Sequence, residues 1–237
     1  IDINNIKEKV FGTLENPEDL MIENKEGQII MRRDGEIAGE HVDVGDCTDC
    51  DIFICDYSDS VNVDCLQNCR VFIGPTSGSV FIRDCKDCNF VICCQQLRLR
   101  GCENMSIGLF VNTDPIIESS KEIKIGCLDF FYFSMSKHLE EAGLKPWNNK
   151  WWRVYDFSHT SGKSPNWEML PQEESLNLLD VKKAGIDKDM SPGFKRLIPV
   201  TLGDRPKPAG YDANNALVIF FALLFKLLLA LLLLDAS

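Results

Sequence analysis

The stretch Cys94–Cys102, which reads Cys-Gln-Gln-Leu-Arg-Leu-Arg-Gly-Cys, places two arginines and two amides within a few residues of one another. Successive side chains of a β-strand point to opposite faces, so Leu97 and Leu99 would lie on one face. Arg98 and Arg100 would share the other, outward face with a neighbouring amide. A guanidinium is permanently charged and binds phosphate or carboxylate groups through a planar fork. The pattern predicts a strand that presents arginine to a partner, although an ordinary solvated strand has the same pattern.

The chain as a whole is acidic. Its 237 residues include 25 lysines and arginines against 36 aspartates and glutamates, a formal net charge of -11. Nucleic-acid binding depends on a basic surface that attracts phosphates. The composition therefore argues against a nucleic-acid partner, and it makes the two neighbouring arginines a local exception to the charge of the chain.

The chain contains eleven cysteines, an odd number, and no secretory signal. Such cysteines are typical of thiols in the reducing cytosol, so we expect a cytoplasmic protein without disulfides. A structural zinc site is the alternative, because Cys47 with Cys50 and Cys85 with Cys88 form C-x-x-C pairs. Zinc would need four thiolates at one point, whereas these pairs recur within a longer repeated phrase.

The repeated phrase combines small polar residues and cysteines with a following run of β-branched and aromatic residues. Its first cysteines, aligned as Cys47, Cys65, Cys85 and Cys102, are 18, 20 and 17 residues apart. A period of this length is typical of a solenoid in which each repeat forms one coil. Short strands stacked about 4.8 Å apart would build a parallel β-helix, with the cysteines as small apolar residues of its interior. The predicted fold class is therefore all-β. The four copies are Asp46–Ile54, Val63–Ile73, Arg83–Ile92 and Arg100–Ile107.

The segments outside the repeats predict a corner and a helical cap. The stretch Gly74–Ser79 has turn chemistry and is interpreted as a corner between two strands rather than a phosphate loop. A helix is predicted over Ser136–Gly143, with Ser136 as its N-cap and Gly143 at its end. A solenoid needs its open end covered, which this helix would do. The predicted domains are an N-terminal extension (1–20), the β-helix with its cap (21–170), a partly ordered linker (171–215) and an apolar segment (216–234).

The apolar segment 216–234 has 19 residues, of which Lys226 alone is polar. Its length suffices to span a bilayer as a tail anchor. The same residues would serve equally as the buried first strand or helix of a further domain, because apolar runs of this length are ambiguous. Both interpretations stay open at the level of the sequence.

Aromatic residues are dense in the stretch Asn148–Phe157. Large aromatic side chains either fill a core or anchor a partner protein. The sequence predicts that these residues cap the solenoid, with partner binding as the alternative.

Several separated motifs, in the right order, resemble the tubulin-folding cofactor C domain family, closest to its retinitis pigmentosa branch. The likeness extends over roughly residues 18 to 170. The motifs are Ile73–Phe81, Cys94–Arg100, Pro115–Ser120 and Asn148–Phe157.

The resemblance implies a right-handed β-helix that activates a small GTPase of the Arf-like class by inserting an arginine in trans. Arg98 matches the arginine finger, and Gln95 and Gln96 match the amides beside it. GTP and Mg²⁺ would be bound by the partner, so we expect no cofactor or metal site here. The chain also lacks a glycine-rich lysine loop, so we expect no nucleotide site of its own. The resemblance implies an enzyme regulator rather than an enzyme. Residues expected to contact the partner are Arg100, Glu118 and Phe157.

The same resemblance implies a setting and an alternative role. We expect a cytoplasmic protein at the cilium, basal body or axoneme, with tubulin or axonemal proteins as further partners. The alternative function is a non-catalytic docking component of a ciliary or microtubule assembly. A third reading, a membrane-tethered adaptor, depends on the segment 216–234.

Overall fold

A computed structural model of the chain describes residues 20–160, 165–171, 174 and 178–184. These residues all belong to the unit Ile1–Thr201, and the second unit, Leu202–Ser237, lies outside the described residues. The described part is a β-solenoid in which neighbouring strands run parallel, which confirms the predicted parallel β-helix. Most of the predicted linker 171–215 and all of the apolar segment 216–234 lie outside the described residues. None of the described helices is long and apolar enough to cross a membrane.

Twelve strands and two helices occur in the described residues. Their central pair is β6 and β7, which stay in contact along most of their length and carry further strands on their outer sides. The strands are β1 Met21–Glu23, β2 Ile29–Arg32, β3 Val42–Gly45, β4 Asp51–Ile54, β5 Val61–Asp64, β6 Arg70–Arg83, β7 Lys86–Arg100, β8 Glu103–Val111, β9 Ile116–Glu118, β10 Lys121–Cys127, β11 Tyr155–Asp156 and β12 Trp167–Met169. The helices are α1 Met135–Glu141 and α2 Val181–Ala184.

One corner of each coil contains two residues, three apart in sequence, that have positive φ. The left-handed region penalises most side chains and is tolerated best by Gly, Asn and Asp, which explains why these residues recur in the repeat. Backbone bonds join the corners of successive coils, as from Asp46 N to Asp64 O (3.1 Å) and from Asp84 N to Arg100 O (3.0 Å). The corner pairs are Asn24 and Gly27, Asp46 and Asp49, Cys65 and Asn68, Asp84 and Asp87, Gly101 and Asn104, and Ser119 and Glu122.

The predicted alignment of the second repeat is wrong by one residue. Cys65 is exposed and takes the corner position of Asp46 and Asp84, with a φ of 56°. Leu66, which is 1% exposed, fills the interior position of the first cysteine, and its N–H lies 3.4 Å from the sulfur of Cys85. The second copy contains a C-x₃-C pair where the first and third contain C-x-x-C, so aligning the first cysteines shifted the copy.

The cysteines are free thiols, and nine of the eleven are buried. Thiols of the interior donate to backbone carbonyls of their own coil, for example Cys47 to Gly45 O at 3.1 Å. Burial raises the pKa of the Cys93 and Cys94 thiols, so both stay protonated and pack as small apolar groups.

The cap packs on one outer face of the solenoid, against Phe53, Phe72 and Phe110. Helix α1 begins at Met135, so the prediction that Ser136 is the N-cap is wrong. Ser134 takes that position, and its hydroxyl donates to Asp34 (2.8 Å) and accepts no bond from a backbone N–H of the helix. Gly143, with a φ of 64°, follows the end of the helix as expected.

A buried histidine connects the cap to the loop between β2 and β3. His138 Nε2 lies 3.1 Å from Asp34 Oδ1 and 3.3 Å from Asp56 Oδ1, and Nδ1 lies 2.5 Å from the Tyr132 hydroxyl. Asp56 Oδ2 also accepts three backbone N–H bonds from residues 35, 37 and 38 of that loop. These bonds fix the cap against the first coils.

The stretch Gly74–Ser79 forms a bend inside one continuous strand, whereas the sequence predicted a corner between two separate strands. It lies within β6, which runs for 14 residues with register shifts on either side of Thr76. A Cβ at Gly74 would collide with the Asp56 carbonyl oxygen and lie 2.8 Å from the Ile54 carbonyl oxygen. The strand bends there because glycine lets it approach the backbone of the preceding coil.

Gly74→Ala should lower the free energy of unfolding by about 2–4 kcal/mol, because the new methyl group meets fixed backbone atoms. Gly143→Ala is the matched control, since its φ is positive but no atom lies within 4 Å of the new Cβ. That variant should lose only about 1 kcal/mol. Urea unfolding compares the two, and equal losses would contradict this account of the bend.

Asp34→Asn tests the link between cap and loop through its pH dependence. Desolvation opposes the shift, but hydrogen bonds from Ser134, His138 and Lys137 lower the pKa of Asp34 from 3.8 to about 2. A carboxylate with a lowered pKa stabilises the fold above its unfolded pKa, and this stability is lost as the pH falls from 3.8 to about 2. The variant should be less stable at neutral pH and lose less stability across that window in thermal melts. An unchanged acid profile would contradict the assignment.

Candidate functional site

The arginine stretch forms the second half of β7, and its predicted alternation is confirmed. Leu97 and Leu99 are 0% and 1% exposed, whereas Arg98 and Arg100 point outward into solvent. Over these residues β7 pairs with β6 on one side and β9 on the other. The backbone beneath both arginines is therefore hydrogen-bonded on both edges.

In-register parallel strands stack equivalent side chains into rows across the sheet. One row runs through Arg98, which pairs with Phe81 of β6 and Ile116 of β9, and Ile116 pairs in turn with Tyr155. The next row runs through Arg100 and brings three predicted partner-binding residues together. We call these two rows the arginine face: Phe81, Arg98, Ile116 and Tyr155, then Arg83, Arg100, Glu118 and Phe157.

The arginines of this face differ in what they bind. Arg83 donates through Nη2 to Asp64 Oδ2 at 2.5 Å, and this hydrogen bond raises the pKa of its guanidinium. The side chains of Arg98 and Arg100 form no hydrogen bond or ion pair with any described residue. Glu118 neighbours Arg100 in register without an ion pair between them in the described part. Two permanent charges are thus available to a docking partner.

The two predicted amides lie at the corner that precedes the arginines. Between paired positions β6 has one more residue than β7, since Thr76 pairs with Cys94 and Ser79 with Gln96. Gln95 is half-buried there, and its backbone carbonyl oxygen accepts hydrogen bonds from Thr113 N (3.1 Å) and Thr113 Oγ1 (3.0 Å). Gln96 is half-buried on the side of Arg98, and its Oε1 accepts a bond from Ser79 Oγ at 3.1 Å.

The aromatic residues of Asn148–Phe157 include both a buried side chain, as capping requires, and exposed side chains, as partner binding requires. Trp151 is 4% exposed and belongs to the core of the solenoid, so it caps as predicted. Tyr155 and Phe157 are 58% and 64% exposed, with their rings edge to face at 4.7 Å. The sequence reading missed Tyr155 and Phe81. The alternation of β11 would have indicated Tyr155, because it has the same parity as Phe157.

The described residues contain one group of three potential metal ligands within 4.8 Å of one another, namely Asp34, Asp56 and His138. Each of these side chains is already engaged in the bonds that join cap and loop. None of them belongs to the arginine face, whose side chains are guanidinium, carboxylate, aromatic and aliphatic groups.

The comparisons with known proteins agree on one family. A family model described as Tubulin binding cofactor C matches residues 39–157. Protein XRP2 from Danio rerio is 34% identical over 213 residues, covering 87% of this chain and 55% of that protein. Tubulin-specific chaperone C from Mus musculus is 31% identical over 153 residues, covering 64% and 45%. The chain thus spans about half the length of the curated relatives it matches.

Among solved structures, Tubulin Binding Cofactor C from Leishmania major is similar to part of this chain. The superposition has a TM-score of 0.40 and a sequence identity of 22%. It covers 61% of this chain and 87% of that one.

Arg98→Ala should leave the fold intact, because the side chain is exposed and has no partner in the described part of the chain. Its free energy of unfolding should stay within about 0.5 kcal/mol of the wild type. Leu97→Ala, one residue away, empties a fully buried site and should lose about 2–5 kcal/mol. Urea unfolding measures both variants, and a large loss in Arg98→Ala would show that this arginine has a structural role.

Proposed function

The chain belongs to the tubulin binding cofactor C family, and from that membership we propose that it activates an Arf-like small GTPase by supplying Arg98 in trans. The supporting observation is an exposed guanidinium, without a partner among the described residues, on a strand that is hydrogen-bonded on both edges. The relatives XRP2, the retinitis pigmentosa 2 protein, and tubulin-specific chaperone C are consistent with a regulatory role.

The chemistry of GTP hydrolysis suits such a group. Negative charge spreads over the transferring phosphoryl group, and an arginine supplied by a partner accelerates the reaction by about 10³- to 10⁵-fold. Arg98 needs to break no ion pair with a described residue before it reaches the phosphates. Its backbone is already ordered by β6 and β9, so docking orders only the side chain and loses little entropy.

The other residues of the site have separate roles in this proposal. Gln95 and Gln96 stand at the corner beside Arg98 and contact polar groups close to the nucleotide. Arg100 and Glu118 offer charges of opposite sign in one row, and Phe157 adds an exposed aromatic anchor. GTP and Mg²⁺ belong to the partner, so the chain regulates an enzyme without holding a nucleotide itself.

The setting follows from the family in the same way. We propose a cytoplasmic protein of the cilium, basal body or axoneme, with tubulin as a further partner because one relative is a tubulin-specific chaperone. The second candidate function is a docking component that binds a GTPase or tubulin without changing any rate. The exposed pair Tyr155 and Phe157 favours this candidate, since exposed aromatic side chains anchor a bound partner without taking part in its reaction.

Single-turnover hydrolysis by a GTP-loaded Arf-like GTPase separates the two functions. The chain should accelerate hydrolysis by about 10³-fold or more, and Arg98→Ala should remove most of this acceleration. Arg98→Lys should also fail, because an ammonium lacks the planar fork. Partner binding, measured by titration, should weaken by less than about tenfold. Lys86→Ala, which removes an exposed positive charge at the start of β7 and outside the arginine face, is the matched control and should behave as the wild type.

Three results would contradict the catalytic proposal. Tight binding of the GTP-loaded partner with an unchanged hydrolysis rate would leave the docking function. Binding that disappears together with activity in Arg98→Ala would show that this arginine contributes affinity rather than rate. A chain that binds no Arf-like GTPase would rule out the proposal as a whole.

A further inference from the structure

We propose that Ser79 is a positioning residue that fixes the Gln96 amide with its N–H donors toward the bound partner; this inference rests on the proposed function. Ser79 and Gln96 face each other in register on β6 and β7. The serine hydroxyl donates to Gln96 Oε1 at 3.1 Å, between two half-buried side chains. Gln96 shares its face with Arg98 at a distance of about 7 Å along the strand.

The position of the serine is fixed by its own backbone. Gly78 N donates to the Asp59 carbonyl oxygen at 2.8 Å, and a Cβ on Gly78 would lie 2.7 Å from that oxygen. Only glycine allows this close approach to the backbone of the preceding coil, and the contact fixes the position of the next residue, Ser79. The Ser79 hydroxyl is therefore presented to Gln96 by a rigid bulge of β6.

In the structure this hydrogen bond defines the orientation of the Gln96 carboxamide. A carboxamide has an acceptor oxygen and a donor nitrogen, and a rotation of about 180° exchanges them. With Oε1 bonded to Ser79, the Nε2 group donates to no other described residue and stays available to a partner. The amide then suits a hydrogen-bond acceptor close to the transferring phosphate, such as a phosphate oxygen or a carbonyl beside it.

Four variants test this role in the single-turnover assay with saturating chain and a GTP-loaded Arf-like GTPase. Ser79→Ala should lower the hydrolysis rate by roughly 5- to 10-fold with little change in Kd, the effect expected for one lost orienting hydrogen bond. Ser79→Thr keeps the hydroxyl on a residue suited to strands and should restore the rate to within about twofold. Gln96→Glu still accepts the serine bond but has no donor, so its loss should equal or exceed that of Ser79→Ala.

Ser77→Ala is the matched control, because this exposed serine lies on the same bulge and has no bond to Gln96. It should react at the wild-type rate, and thermal melts should show that every variant is folded. A Ser79→Ala variant with wild-type kinetics, or with a change in Kd alone, would overturn the inference. The same holds if the threonine variant fails to recover the rate.

The outcomes for the two proposals are distinguishable. If the wild-type chain does not accelerate hydrolysis, the proposed function and the role of Ser79 are both wrong. If the wild type accelerates hydrolysis through Arg98 while Ser79→Ala matches it, only the role of Ser79 is wrong.

Discussion

The structure depends on one constraint, the in-register stacking of parallel coils. The inner strands are held by backbone hydrogen bonds to the coil before and the coil after them, and one corner of each coil turns through two residues with positive φ. The Asp, Asn and Gly residues of the repeat satisfy the corners at low steric cost. Interior Cys, Leu, Val and Ile side chains then stack on their counterparts and are almost fully excluded from water. The same stacking aligns outward side chains into rows, so any exposed group has a defined neighbour on the next coil.

The arginine face follows directly from this geometry. Arg98 and Arg100 are two residues apart on one strand, and register alone brings them beside Ile116, Glu118, Tyr155 and Phe157 from two later strands. Arg83 on the same face is neutralised by an ion pair with Asp64 of the preceding coil. No described carboxylate pairs with Arg98, although the chain carries an excess of acidic residues. A permanent charge that the fold positions without neutralising is suited to stabilising charge on another molecule.

The sequence predicts the parts of this structure that are governed by local period. The alternation of Leu97, Arg98, Leu99 and Arg100 predicts their faces correctly, because the period of a strand is fixed. The repeat length predicts the solenoid for the same reason.

The sequence predicts positions wrongly where contacts between coils decide them. Cys65 is expected in the interior because it matches the first cysteine of each other copy, whereas its register with Asp46 and Asp84 places it at the corner. Ser136 failed as an N-cap since the contact with Asp34, 100 residues away from Ser134, determines where the cap helix begins. The pairing of Ser79 with Gln96 is likewise invisible in sequence, because it depends on a bulge that shifts one strand by a residue. The catalytic role of Arg98 came from the resemblance to a family and remains a prediction.

The most direct test of an arginine that acts on the transition state is a comparison of two nucleotide states. The affinity of the chain would be measured for an Arf-like GTPase loaded with GDP and aluminium fluoride, which mimics the transferring phosphoryl group, and for the same GTPase loaded with a non-hydrolysable GTP analogue. The account predicts that the wild type binds the transition-state mimic at least about 100-fold more tightly, and that Arg98→Ala abolishes this preference while the affinity for the GTP-analogue state persists. A wild type without this preference, or a preference that survives Arg98→Ala, would contradict it.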